Sequence, residues 1–167
     1  GRPSISKDNF LQIIESIKNN LEIKDLNESI LDVGCGNGMI LSKLSKYFLN
    51  SYGCDYCKEM IEIARELNPR SDILLGNANQ IPFNNKITEN LIAYSIFHYF
   101  PSYQYALDSI KEMVRVTKDS GKILIGDVLD QQYQEEILLK DNKKISDKLP
   151  HIHRYREWLF YDLNKLK

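Results

Sequence analysis

The sequence predicts a doubly wound α/β fold, a parallel sheet with helices on both faces, and three observations carry that expectation. Short apolar runs alternate with segments of helical periodicity along most of the chain. The strand at residues 30–33 passes Asp32 and runs straight into Gly34, Gly36 and Gly38. Finally, Asp32, Asp55, Asn77 and Tyr94 fall at or just after strand ends, where open parallel sheets bind their ligands.

Phe10, Ile13, Ile14, Ile17 and Leu21 recur at helical spacing, which predicts a helix over residues 6–21 with Ser6 or Asp8 as its cap. The apolar run 30–33 is a buried strand, and Ile40, Leu41, Leu44, Tyr47 and Phe48 predict a helix over 39–48. A second strand is expected at 52–55. The helix at 58–67 is stopped by Asn68-Pro69, because proline disfavours helical backbone in the residue before it. Strands at 73–75 and 91–95, a helix over 103–117 and a fifth strand at 122–127, entered through a turn at 118–121, complete the alternation. Right-handed crossovers between such strands place helices on both faces of the sheet.

With 167 residues and a formal net charge of -1, the chain is one domain with no electrostatic footprint of a nucleic-acid binder. No apolar run has membrane-spanning length and no apolar leader opens the sequence, so a soluble, cytoplasmic protein without membrane or nucleic-acid partners is expected. The start at Gly1-Arg2-Pro3 reads as a processed tag or a piece of a longer polypeptide. Cys54 and Cys57 form a CxxC, but there is no second pair and His151 and His153 lie far away. Reduced thiols and no metal site are expected. Residues 131–153 are polar and lysine-rich, 141–148 read as a mobile loop, and the aromatic cluster at 158–161 reads as a core-covering strand.

Without Cβ atoms, the three glycines let their loop take positive φ and bring backbone amides against a ligand at the start of the next helix. Those amides already favour negative charge, so the acid Asp32 beside them points to a ligand with a cationic part. The spacing GxGxG, with Met39 where a dinucleotide site wants Gly or Ala, departs from the GxGxxG pattern. About twenty residues on, Asp55 can accept hydrogen bonds from both hydroxyls of a ribose. Asn77 and the amide of Ala78 offer the acceptor and donor that an adenine edge needs, with Tyr56 and Met60 available to the ring faces.

The segments ILDVGCGNG, YGCDYCKEMIEIARE, ILLGNANQIPF, LIAYSIFHYF and EMVRVTKDSGKILIGDV, spanning residues 30–128, resemble the successive motifs of the class I S-adenosylmethionine-dependent methyltransferases, closest to their small-molecule, UbiE-like branch. That resemblance implies a Rossmann-like sheet and S-adenosylmethionine as methyl donor, with S-adenosylhomocysteine as product. Asp32 and the loop of Gly34, Cys35, Gly36 and Gly38 would hold the methionine part, Asp55 the ribose, and Asn77 with Ala78 the adenine. Tyr94 would line the junction of cofactor and acceptor. Asn77 stands where Asp is usual in the family, Cys57 replaces a common Ser, Asp119-Ser120-Gly121 replaces Pro-Gly-Gly, and Thr88-Glu89 replaces Phe-Asp.

The implied reaction is methyl transfer to a small-molecule acceptor. An in-line displacement mainly requires placement of the acceptor, and a hydroxyl acceptor gains from a general base, for which His98 is the first candidate and Asp127 the second. The alternatives are a catalytically silent cofactor-binding module or partner subunit, and an NAD-dependent oxidoreductase, which the glycine spacing disfavours. Family members carry two further strands after the fifth, whereas about forty residues follow Asp127 here. The expectation is one shortened domain over 1–167, lacking those strands, with a helical lead-in at 1–28, a cofactor-binding core at 29–128 and a partial substrate or edge region at 129–167. Its open sheet edge would be covered by residues 158–161 or by a partner chain, and DLNKLK would open a helix capped by Asp162.

Overall fold

Five parallel strands in the order β3-β2-β1-β4-β5 form the centre of the computed structural model, which describes residues 6–23, 27–138 and 158–166. The strands are β1 (Ser29–Val33), β2 (Asn50–Asp55), β3 (Asp72–Leu75), β4 (Thr88–Tyr94) and β5 (Thr117–Gly126). The helices are α1 (Lys7–Leu21), α2 (Met39–Leu44), α3 (Lys58–Leu67) and α4 (Tyr103–Val116). The chain winds outward from β1 to β3, then crosses back to β4 on the other side of β1. Strand order therefore reverses beside β1, and a crevice opens there at the carboxyl ends.

All five residues of β1 are buried, because it is paired on both sides and covered on both faces. Alternation along the strands divides the apolar side chains between two cores. Ile30 and Ile92 pack with Ile14, Ile17 and Leu21 of α1, Leu41 and Leu44 of α2, and Ile61 of α3. Leu31, Val33, Leu91 and Ala93 pack with Met113 and Val116 of α4 and with Phe83 and Phe97. Among the described residues, no helix is long and apolar enough to cross a membrane.

The helix ends follow the sequence signals closely. Ser6 caps α1 by accepting a hydrogen bond from the Asn9 amide at 3.2 Å, and Ser102 caps α4 through the Tyr105 amide at 3.1 Å. The segment expected as one helix over 39–48 is α-helical only to Leu44 and tightens into a 3-10 turn at Ser45–Tyr47. Asp162 accepts from the Asn164 amide and so caps a 3-10 turn at Leu163–Leu166.

Two expectations need correction. The turn expected at 118–121 is strand: α4 runs directly into β5, which pairs Thr117 with Thr88 across a register shift. A Cβ on Gly121 would lie 2.6 Å from the Glu89 carbonyl oxygen, so only glycine fits this close approach. The segment 158–161 does not line the β5 edge. It crosses the α4 side of the sheet, where the Leu159 amide donates to the His98 carbonyl (3.0 Å) and the Tyr161 hydroxyl to the Phe97 carbonyl (2.9 Å). One isolated bridge joins Tyr161 to Asp130. Residues 141–148, His151, His153 and the first three residues lie outside the described ones.

At the amino end of the sheet, Glu89 accepts hydrogen bonds from the Ser29 amide (2.8 Å), the Ser29 hydroxyl (2.5 Å) and Lys118. Burial raises its pKa, but these donors outweigh burial and hold the carboxyl down at about 2. A depressed carboxylate pKa stabilises the fold fully above the unfolded value and loses that contribution as pH falls through the folded one. Because the pair with Lys118 is partly solvated, about 1–2 kcal/mol is expected rather than the full linkage value. In urea melts, Glu89→Gln should be less stable than the parent by that amount at pH 7, and the gap should close between about pH 4.5 and 2.

Candidate functional site

At the carboxyl end of β1 the chain turns back over β2, because the amides of Gly34 and Cys35 both donate to the Cys54 carbonyl at 2.8 and 3.0 Å. Gly34 has φ +74°, and a Cβ there would sit 2.5 Å from Ile96 Cγ2, so the turn closes directly on the loop after β4. Gly38, at φ +78°, lies against Asn68, whose side-chain amide donates to the carbonyls of Gly38 and Ala64 and ties the loop to the end of α3. Gly36 differs from both. It has φ +53°, but nothing lies within 4 Å of where its Cβ would be. Two glycines are therefore required by packing, and the middle one borders open space.

Asp55 fixes this arrangement. Buried to 8% exposure, it accepts from the Gly36 amide through Oδ2 and from the Cys57 amide through Oδ1, both at 2.9 Å. Its carbonyl accepts from Gly76, which draws the loop after β3 to the same place (2.9 Å). The Gly38 amide donates to the Cys35 carbonyl. The amides of Gly34, Cys35, Gly36 and Gly38 are thus all committed inside the protein, contrary to the expectation that they face a ligand. A phosphate cradle needs such amides outward, so this loop is a poor anion site.

Asp32 is the exception to good internal pairing. It is 2% exposed and its Oδ2 has no hydrogen-bond partner. Burial, and then the neighbouring Asp55 charge, push its carboxyl up to about 7. A buried carboxylate oxygen without a donor is costly and marks a place where a donor belongs. Cys54 is nearly inaccessible, and burial pushes its thiol up to about 12. Burial likewise raises Cys35, so neither thiol serves as a nucleophile at neutral pH. The half-buried Cys57 donates to Glu59 at 3.2 Å.

Asn77 is exposed and Ala78 half-buried in a tight turn closed by the Gln80 amide on the Asn77 carbonyl (3.0 Å). Behind this loop, Arg115 of α4 donates to the carbonyls of Ile81 and Phe83 at 2.9 Å each, while Glu112 accepts from the Ile81 amide. Tyr105, at the start of α4, turns its hydroxyl toward the amides of Asn79 and Ala78; burial raises its pKa and those amides oppose the rise. Tyr56 is 76% exposed and Met60 40%, so neither is a core residue.

Beyond β4 and β5 the expected catalytic residues separate. Asp127 is exposed, with φ +56°, and accepts from the hydroxyl of Ser95, which itself has φ +63°. Half-buried Tyr94 lies on Gly126 at the same strand ends. His98 instead turns inward: it is 2% exposed, with ring centroids 4.2 Å from Tyr99 and 4.6 Å from Trp158. Sequence reasoning offers this ring as the first candidate for a general base, and the structure packs it among aromatic side chains. Sequence reasoning missed Ile96, Tyr105 and the tethering role of Asn68, which read only as a helix stop. Ser95 gave no signal at all, since its left-handed backbone carries no glycine or asparagine.

The fold and the acid-plus-glycine crevice define a class I S-adenosylmethionine-dependent methyltransferase domain. Residues 31–125, more than half of the chain, match the methyltransferase domain family, and the chain belongs to it. Its cofactor is accordingly S-adenosylmethionine. The chain is 33% identical over 96 residues to the human protein named probable tRNA methyltransferase 9B, covering 58% of this chain and 20% of that one. It is 29% identical over 111 residues to the Arabidopsis thaliana tRNA (carboxymethyluridine(34)-5-O)-methyltransferase, covering 66% and 26%. The match thus spans about a fifth to a quarter of these curated relatives. The PH0226 protein of Pyrococcus horikoshii superposes with a TM-score of 0.66 at 25% identity, over 90% of this chain and 70% of that one.

The contrast between the glycines is testable by urea denaturation. Gly34→Ala adds a clash with Ile96 to the cost of a left-handed alanine and should lose about 2–4 kcal/mol; Gly36→Ala, with open space, should lose about 1–2 kcal/mol. Equal losses would contradict the packing described for Ile96.

Proposed function

We propose that this domain binds S-adenosylmethionine across the carboxyl ends of β1, β2 and β3 and directs its methyl group to an acceptor carried by tRNA. The observation that carries the cofactor assignment is the partnerless Asp32 Oδ2 at the end of β1, with open space at Gly36 in the loop that follows. A carboxylate there receives the ammonium of the methionine moiety, and a loop whose Gly34, Cys35, Gly36 and Gly38 amides are all committed internally suits a cationic ligand better than a pyrophosphate. Asp55 keeps a lone pair on each oxygen for the ribose hydroxyls, while Asn77 and Ala78 take the adenine edge and Tyr56 and Met60 its faces. Tyr94 stands between this site and the acceptor side. S-adenosylmethionine supplies a sulfonium methyl that an in-line nucleophile at about 3–3.5 Å displaces.

The tRNA acceptor is supported by the names of the relatives. It is also supported by chemistry: a carboxylate oxygen, the acceptor type named for the Arabidopsis relative, is already a nucleophile at neutral pH and requires no base. That suits a site whose histidine is buried. The second reading, a small-molecule acceptor, is favoured by the net charge of -1 and the scattered lysines and arginines.

Incubation with labelled methyl donor and either total tRNA or a metabolite extract separates the two. Label in tRNA that mild alkali releases as methanol supports the first reading, and label confined to metabolites supports the second. Asp55→Ala should weaken S-adenosylhomocysteine binding at least tenfold in calorimetry, as the loss of one bond worth about 1.5 kcal/mol requires. Unchanged affinity would remove Asp55 from the site.

A further inference from the structure

Asp32 and Asp55 stand side by side at the ends of β1 and β2, both almost fully buried, yet they are not equivalent. Asp55 spends each oxygen on a backbone amide that needs an acceptor. Asp32 has no donor at Oδ2, so a proton is accommodated on Asp32 without breaking any bond. From β2 it is faced by Asp55 and from its own loop by the Cys35 thiol, while the Cys54 side chain packs into the core on the α4 side. On β4, Ile92 lies opposite it in register, and the Tyr94 phenol is two residues on along the same face. The helices packed on this face present Ile14, Ile17 and Leu21 from α1, Leu41 and Leu44 from α2, and Ile61 and Ala64 from α3. Charge repulsion comes from Asp55, and no cation compensates Asp32 among the described residues.

We propose that Asp32 holds a proton in the ligand-free protein and gives it up when a ligand's primary ammonium group reaches Oδ2, so that the subsite selects ammonium-bearing ligands by exchange. The exchange rests on the cofactor reading above and deepens it. One O–H bond of Asp32 breaks, its proton leaves to the buffer, and the resulting carboxylate pairs with the ammonium, which keeps all its protons. Total charge is balanced by the released proton. A ligand with the same nucleoside but no amino acid leaves Asp32 protonated and releases nothing. Placing the carboxyl near pH 7 makes the exchange run within the physiological range.

Calorimetric titration of the full chain in phosphate and in imidazole at pH 6.5, two buffers of different ionisation heat, reads the released proton directly. S-adenosylhomocysteine should release more than half a proton, and its affinity should fall close to tenfold between pH 6.5 and 5.5. Methylthioadenosine, which lacks the amino acid, should release none and bind with a flat pH profile. Asp32→Asn, with its fold checked by circular dichroism, should bind S-adenosylhomocysteine more weakly, without proton release and without pH dependence. Buffer-independent heats for S-adenosylhomocysteine on the parent protein would overturn the exchange. So would equal proton release by methylthioadenosine. No binding of S-adenosylhomocysteine at any pH from 5.5 to 8 would instead remove the cofactor reading beneath it.

Discussion

The Asp55 carboxylate holds the crevice together. Through one oxygen it grips the glycine loop at Gly36, through the other the start of α3 at Cys57, and through its own carbonyl the loop after β3. Three segments that approach from different strands thus meet at one residue. Burial first, and then its negative end, make the neighbouring Asp32 expensive to ionise, so a bond network that shapes the loop contributes to the electrostatics of the pocket as well. Stability and ligand chemistry are coupled at this point, which is common where strand ends carry function.

The rest of the architecture serves to keep that junction in place. Asn68 anchors the far end of the glycine loop to α3, and Ile96 closes on Gly34 from the loop after β4. On the opposite face, Glu112 and Arg115 fasten residues 81–85 to α4, so the loop expected at the adenine is braced by a helix from the other side of the sheet. Each brace is a contact between elements distant in sequence. The glycine loop is thus held by Asn68 at one end, by Ile96 at the other and by Asp55 at its middle.

The order of strands and helices was legible in the sequence because periodicity, capping residues and Asn68-Pro69 are local signals. So was the placement of Asp32, the glycines and Asp55 around one crevice, since a parallel sheet brings its carboxyl ends together. What escaped was decided by tertiary contact. The first residues of β5 read as a turn because Lys118-Asp119-Ser120-Gly121 is polar, yet pairing of Thr117 with Thr88 and the bond from Lys118 to Glu89 make it strand. His98 sits in an aromatic run, and whether such a ring faces solvent or core depends on Trp158, sixty residues later. The direction of the loop amides was hidden too, because the sequence names glycines but not the carbonyls they will meet.

Those inward amides set a limit on how such a site can change. Exclusion of phosphate is written into the main chain, in the closure of Gly34 and Cys35 on the Cys54 carbonyl, and no side-chain replacement at those positions frees an N–H. Conversion into a pyrophosphate cradle would need an insertion or deletion that slides the loop past β2. Single substitutions at these positions can therefore change how the loop packs, but the direction of its amides belongs to the backbone.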